Sequence, residues 1–462
     1  KIPDATLSCD VTPEYLGLGY IIGPRIAGEL ASGGVLSWLA LIPLISIFVD
    51  DGRIIRDLKS LSFTDTWIAT HSHAEWIYRA YVRYIGAGAV ACAGVMTLIK
   101  TLPTIVSAFR ESVKSFGGGR QAAKPLRTEQ DLPMGLVVAG SLVLALLITV
   151  LPGFPHGPFP GSLLMGLLIV VFGFFFVTVS SRIVGIIGTS SNPISGMTIA
   201  TIMATCVVFV SIGWTGDVYQ AVALCVGAIV CVAAANAGAT SQDLKTGYLV
   251  GATPRRQQIG FIIGVVSSSL VIGGTLFLLD RTYREAGMEH GIGGAQLAAP
   301  QATLMATIIK GLLAQNLPWA PVLVGVFLAF MAQMAGAHAL SWAVGAYLPL
   351  STTFPIFIGG MIKGFVDRKA KIKEESELSS GMLFSTGLVA GGSLMGVVIA
   401  VIAFFGDVVL KWESPNILER FDLGAKLYPA LKSGVGGDIL CAVVFGVLCV
   451  LVLRNAGKKL EA

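Results

Sequence analysis

Apolar runs of about twenty residues recur along nearly the whole chain, the length an α-helix needs to cross the hydrocarbon core of a bilayer. They occupy residues 35–49, 84–106, 133–151, 159–180, 195–214, 218–235, 259–279, 319–335, 382–405 and 438–453, with shorter or interrupted runs at 16–31, 183–193, 302–314 and 337–366. The expectation is an all-α, polytopic transmembrane helical bundle of roughly ten to twelve membrane elements, several of them discontinuous. A water-soluble fold fails on charge. Only 13% of the 462 residues are charged, 54% are hydrophobic and the mean hydropathy is +0.78, whereas soluble domains carry about a quarter charged residues. The same figures exclude a disordered chain, a secreted disulfide scaffold and a nucleic-acid binder. The 56 glycines suit helices that pack backbone to backbone in lipid.

Enzymatic chemistry finds no anchor. Six of the seven cysteines lie inside apolar runs, Cys9 precedes one, and no CxxC pair occurs, so neither a disulfide framework nor a thiolate metal site is expected. His71, His73 and Glu75 are close in sequence but lack a further fixed ligand, and incidental placement is the better reading. There is no GxSxG elbow, HExxH helix or Walker GxxxxGK[ST]. The chain is therefore expected not to be an enzyme and to hold no metal or other cofactor.

Lysine and arginine give the loops sides. A basic linker at 110–132 carries Arg110, Lys114, Arg120, Lys124 and Arg127. Counting crossings from there returns Lys245, Arg255 and Arg256 to the same surface and, with 302–314 also crossing, 363–373 and the tail with Arg454, Lys458 and Lys459. That surface is expected to be cytoplasmic. Residues 50–59 break the pattern, with Arg53, Arg56 and Lys59 diluted by Asp50, Asp51 and Asp57.

The interrupted runs carry the functional signal. Proline removes a backbone donor and clashes with the preceding turn, and such a break at membrane depth survives only where protein or a wet cavity satisfies the freed groups. Residues 16–34 break at Gly23-Pro24. Residues 188–196 (GTSSNPISG) break beside Asn192-Pro193, and residues 346–355 (AYLPLSTTFP) contain Pro349 and Pro355. Both 192–193 and 348–355 are expected to be non-helical breaks at membrane depth, facing each other or a shared cavity. Broken helices point to a transporter's substrate site, so Ser190, Ser191, Asn192, Ser195, Tyr347, Ser351, Thr352 and Thr353 are the candidates for holding polar substrate groups. Glu29, one turn from Arg25, and His338 are the candidates for proton coupling, each weighed against a purely structural role. Residues 233–247, with Asn236, Asp243 and Lys245, have the composition of a cytoplasmic loop. Gly19-Tyr20, a proline and Gly33-Gly34 are echoed faintly by Tyr347, two prolines and Gly359-Gly360, an internal similarity that chance accounts for about as well.

The strings GYIIGPRIAG at 19–28, SNPISGMTIAT at 191–201, AANAGATSQDLKTGYLVGATPRRQQ at 233–258 and AVGAYLPLSTTFPIFIGGMIKG at 343–364 resemble the oligopeptide transporter (OPT) family. Within it, the match is similar to the prokaryotic branch allied to the yellow stripe-like metal-chelate transporters. The resemblance runs over nearly the whole chain and implies one membrane transporter domain, 1–462, with 110–132 as a linker within it. It implies secondary transport of oligopeptides or small amino-acid-derived metal chelates, coupled to protons as a symport, in a prokaryotic cytoplasmic membrane. Asn192-Pro193 would match the family's Asn-Pro motif, and Asp243 to Gly247 its loop motif. Where peptide-transporting members read Lys-Ile-Pro-Pro-Arg, this chain has Gly251-Ala252-Thr253-Pro254-Arg255, which leaves chelates open beside peptides. Family members carry a further helix bundle ahead of the segment matching 19–28, so the resemblance implies a chain lacking it. The partners expected are a peptide or chelate substrate, protons and the lipid bilayer, with oligomers compatible and nucleic acid excluded. A passive pore, a non-transporting fragment and an intramembrane enzyme are the rival readings.

Overall fold

A computed structural model describes residues 3–61, 63–117, 126–151, 155, 161–186, 192, 194–285, 291–293, 299–314, 318–370, 379–403 and 435–456. Among the described residues the regular structure is helical throughout, with no strand. Eight helices among the described residues are long and apolar enough to cross a membrane, and 301–313 and 319–334 form two shorter apolar helices. The chain is an all-α polytopic bundle. It divides into two compact units, one of residues 1–90, 274–300 and 319–462, the other of 91–273 and 301–318.

In the second unit, α8 (Gly161–Ile186) packs along α10 (Asp217–Leu249), with α9 (Ile194–Ile212) and α12 (Pro300–Ala314) completing the core. Met165, Ile202, Phe209, Val222, Val226 and Leu313 are almost wholly buried there. Gly227 lets α10 approach Ile202, where a methyl group would overlap the side chain. By contrast α7 (Met134–Val150) buries nothing. Its exposed Leu136, Val143 and Leu144 are what a helix presents to acyl chains. The 33 residues of α10 would be about 50 Å long, well beyond a 30 Å core. Asn236, Asp243 and Lys245 therefore lie on a helix and not in a loop. Nothing between 233 and 249 removes a backbone donor, so the polar segment continues the helix. The chain turns only at Gly251, whose φ of 75° belongs to the left-handed region.

At the corresponding end, Arg127 donates to the Gly251 carbonyl at 2.7 Å, the Arg255 amide donates to the Gln130 carbonyl, and Gln258 bridges Leu132 and Asp131. Residues 127–132 and the 251–258 connection thus meet.

The first unit is built around two discontinuous helices. α1 (Pro13–Val35) is broken at Gly23, with φ 82° and ψ 171°, and continues through a π-helical turn, Leu36–Leu41, into α2 (Ile42–Phe48). Pro24 sits at the start of the second segment, where its missing N–H costs nothing. α14 (Ala339–Tyr347) ends at Leu348-Pro349, and α15 (Leu350–Ala370) starts directly after. Residues before Gly23 follow α15 in its own direction, from Asp10 at Ser351 to Tyr20 beside Gly359. Residues after it run the opposite way, from Pro24 at Gly364 to Gly34 at Thr353. The chain doubles back at the break. The expected break at 348–355 is shorter than the sequence suggested, because only Leu348 and Pro349 are non-helical and Pro355 lies inside α15.

These two hairpins are related by a shift of 326 positions (Gly345 against Gly19), and their contacts repeat under that shift. Gly19 abuts the backbone of Ile356, and Gly345 abuts that of Leu30. Gly33 lies against Trp342, Gly345 and Ala346, and Gly359 against Leu16, Gly19 and Tyr20. Gly34 meets Leu350 and Thr353, while Gly360 meets Pro24 and Ala27. The faint echo is an inverted structural repeat, since the two long segments run antiparallel. α16 (Ser380–Ala403) and α17 (Val435–Ala456) flank it, contributing Phe384, Leu388, Phe445 and Val452 to a cluster around Leu16 and Tyr20.

Residues 50–82 are not a simple connection. Asp50 caps α3 (Asp51–Ser60), Thr64 caps α4 (Asp65–Thr70), and a Ser72–Glu75 capping box opens α5 (His73–Ile77). Ile54 and Leu58 are fully buried from one face of α3, while Arg53 and Lys59 are left outward. Each buried aliphatic side chain contributes about 1.5–3 kcal/mol. α3 is thus amphipathic, its apolar face packed on Ile42, Ile68 and Ile77.

Candidate functional site

The inverted repeat joins the two residues singled out for proton chemistry. His338 precedes α14 and Glu29 lies on the second segment of α1, 309 positions apart, yet the Nδ1 atom of His338 is 2.9 and 3.0 Å from the two oxygens of Glu29. Arg25 Nε stands 3.5 Å from the same carboxylate, one turn back on the helix. Glu29 is 11% exposed, His338 57% and Arg25 71%. A nearly buried carboxylate is thus held between a guanidinium and an imidazole, both largely exposed. The bland Arg25–Glu29 pair exists, but it is not the whole arrangement.

At the other hairpin, Pro355 has no N–H, so within α15 the Ser351 carbonyl lacks its donor four residues on. The Asp10 amide supplies it at 3.0 Å. The Asp10 carboxylate then accepts from Ser351 Oγ at 3.2 Å and Thr352 Oγ1 at 3.3 Å. Thr353 is fully buried and donates to the Leu350 carbonyl. Ser351 and Thr352, expected to hold substrate, are engaged by Asp10. Sequence reasoning missed Asp10, although a proline inside an apolar helix signals a carbonyl that needs an outside donor.

Tyr347 closes α14. Its carbonyl accepts from Tyr78 at 2.7 Å, and the preceding Ala346 carbonyl accepts from the buried Ser37. These two donors satisfy backbone groups that the break leaves orphaned. Arg83 hydrogen-bonds the Tyr347 hydroxyl. Tyr78 opens a second π-helical turn, Tyr78–Val82, leading into α6 (Arg83–Gly117). Lys363, read from sequence as a loop residue, lies inside α15 and is buried, with its Nζ beside Gly23. Under the 326-position shift it is the counterpart of Ser37.

The remaining candidates belong to the second unit. Asn192 donates to Ser180 Oγ at 2.8 Å, Ser180 donates to the Ala234 carbonyl, and Gly238 leaves room for this contact. The Asn192 Oδ1 is buried with no partner among the described residues. Asn192 itself is non-helical, as expected, while Pro193, Ser190 and Ser191 lie outside the described residues. Ser195 is exposed on the first turn of α9. Lys245 donates to the Gly185 carbonyl at 2.9 Å near the end of α8, and the Asp243 carbonyl accepts from Gln257. Asn236 is exposed on α10.

The histidine pair at 71 and 73 is structural. His71 stacks on Trp67 at 4.1 Å, and His73 lies 2.7 Å from Asp4 and 3.2 Å from Asp51. Among the described residues no group of three or more His, Cys, Asp or Glu could hold a metal ion. The Asp4 carboxyl is held below its usual value: burial opposes this, but hydrogen bonds from Ser46 and His73 and the charge of His73 outweigh it.

Residues 1–403 match the family described as OPT oligopeptide transporter protein. The chain belongs to the oligopeptide transporter family. It is 32% identical over 426 residues to a Haemophilus influenzae protein named as an oligopeptide transporter, covering 84% of this chain and 65% of that one. It is 22% identical over 382 residues to a protein of Oryza sativa subsp. japonica named as a metal-nicotianamine transporter, covering 76% of this chain and 51% of the relative. The chain thus spans between half and two thirds of these relatives' lengths. No solved structure matches it. The family is one of membrane transporters and not of enzymes, and this chain is an integral membrane member of it.

Proposed function

We propose that this chain carries the translocation pathway of a proton-coupled symporter for oligopeptides or small amino-acid-derived metal chelates, in a prokaryotic cytoplasmic membrane. The observation that carries this reading is the contact between Glu29 and His338, which ties together the two discontinuous helices of an inverted repeat. Substrates of either kind present carboxylates and amines. The polar groups at the breaks of the first unit's hairpins, with Tyr347 foremost, would receive them.

Glu29 faces His338 and Arg25. An ionised Glu29 holds both cations. Once protonated, it keeps at most a neutral hydrogen bond, which is roughly half as strong. A proton arriving from one side therefore loosens the link between the hairpins, and its loss on the other side restores it.

The test is uptake into proteoliposomes by the full-length protein bearing Glu29→Gln. Substrate exchange persists and accumulation driven by a pH gradient disappears. Accumulation against a gradient with the normal pH dependence would remove Glu29 from the coupling role. A thermal-shift screen of peptides and metal chelates against the same protein identifies the substrate, because a ligand of the native state raises its stability.

A further inference from the structure

We infer that Asp10, with Ser351 and Thr352, is a second latch, the pseudo-symmetric counterpart of the Glu29–His338 latch. The two latches close the pathway toward opposite sides of the membrane. The inference rests on the alternating-access reading above and gives Asp10 a positioning role within it.

The contacts of the repeat define the relation. Shifted by 326 positions, Arg25 and Ile26 fall on Ser351 and Thr352, Thr12 on His338, and Glu29 on Pro355. In each half, the chain entering the short helix therefore meets the first turns of the other hairpin's long helix. In one half the link is His338 to Glu29. In the other it is Asp10 to Ser351 and Thr352, through two side-chain hydrogen bonds and one from the backbone. The two links also share a logic at the equivalent positions 29 and 355. One carries the accepting carboxylate; the other carries a proline that frees the Ser351 carbonyl for an outside donor.

Their heights differ. The long segments are antiparallel, with Pro24 at Gly364 and Gly34 at Thr353. Ser351 and Thr352 hence lie level with residues just beyond Gly34, about eight residues along α1 from the 25–29 turn, a rise of about 12 Å. The crossings of Gly19 with Ile356 and of Gly345 with Leu30 lie between them. A pathway following these hairpins is closed above and below the crossing by different chemistry. One latch is a carboxylate meeting an imidazole; the other is a carboxylate holding two hydroxyls. With Arg368 and Lys369 at the cytoplasmic end of α15, the Asp10 latch faces outward and the Glu29 latch inward.

Thr353 and Ala27 are equivalent positions, both fully buried, and each lies within a turn or two of its latch. Thr353→Cys and Ala27→Cys, introduced separately into a cysteine-free form of the full-length protein in sealed vesicles, report opening to a membrane-impermeant thiol reagent. No substrate or transport is required, so the result stands apart from that of the uptake assay. Asp10→Ala is expected to raise labelling at 353 on the order of tenfold, the worth of a lost charged hydrogen bond, from one side only and without raising it at 27. Glu29→Gln is expected to do the reverse, from the other side. Ser351→Ala/Thr352→Val, which keeps the volume and removes the donors, should reproduce Asp10→Ala, and guards against a misfolded variant. Labelling that rises at both positions together, from the same side for both latches, or at neither, overturns the inference.

Discussion

Alanine at Gly345 tests the close crossing that holds the repeat together. A methyl group built there lies 2.7 Å from the carbonyl carbon of Leu30 and 2.8 Å from its Cα, where ordinary contact begins at 3.4 Å. The shortfall is 3.4 − 2.7 = 0.7 Å at the carbon and larger still at the Leu30 carbonyl oxygen, the nearest atom, and it falls on backbone atoms that have no rotamer to change. The two hairpins must separate along a glycine-lined seam, and overpacking of this kind costs about 1–3 kcal/mol. Gly33→Ala presses on the same crossing from the other helix, where the new methyl would lie 2.6 Å from the Ala346 nitrogen. Both substitutions are relieved by one separation, so the double variant should lose less than the sum of the singles. Gly396 on α16 has nothing within 4 Å of the added carbon, and alanine there should be neutral or stabilising by up to about 1 kcal/mol. Unfolding in detergent micelles, followed by tryptophan fluorescence, ranks the three. If Gly345→Ala unfolds together with Gly396→Ala, the crossing is not as tight as described and the argument from the repeat fails with it.

Three further outcomes are expected. Leu58→Asp should detach α3, because it leaves a carboxylate among Ile54, Ile68 and Ile77; a loss of several kcal/mol is expected, and limited proteolysis between 50 and 82 would detect it. The Asp4 carboxyl is depressed in the folded state, so its contribution is present above its unfolded value near 3.8 and is lost as pH falls through the lower folded value. Asp4→Asn should flatten that acid limb of the unfolding curve and leave the neutral region nearly unchanged; an unaltered limb refutes the Asp4–His73 tether. Cysteines at Arg127, Tyr248 and Lys369, tested singly against an impermeant reagent, should all label from one side, and a split result would end the topology drawn from the basic residues.

The sequence by itself determined the class of fold and where the helices break. Runs of twenty apolar residues admit little but membrane helices, and Gly23-Pro24 and Leu348-Pro349 interrupt the chain wherever it folds, because a missing N–H is a covalent fact. Composition misread residues 233–247, since small polar side chains are compatible with helix and with loop alike, and only the packing of α10 on α8 chose between them. It also placed Lys363 in a loop, because lysine in an apolar run looks like an end until a neighbouring break is found to accept it. Glu29 and His338 were each legible as costly residues at membrane depth, but their pairing was not. Nothing local relates residues 309 positions apart. The pairing follows from two glycine-lined hairpins crossing at van der Waals distance, which tertiary structure alone can reveal. Asp10 was invisible for the same reason: its role is set by a carbonyl that Pro355 leaves without a donor, and only the inverted repeat brings the two together.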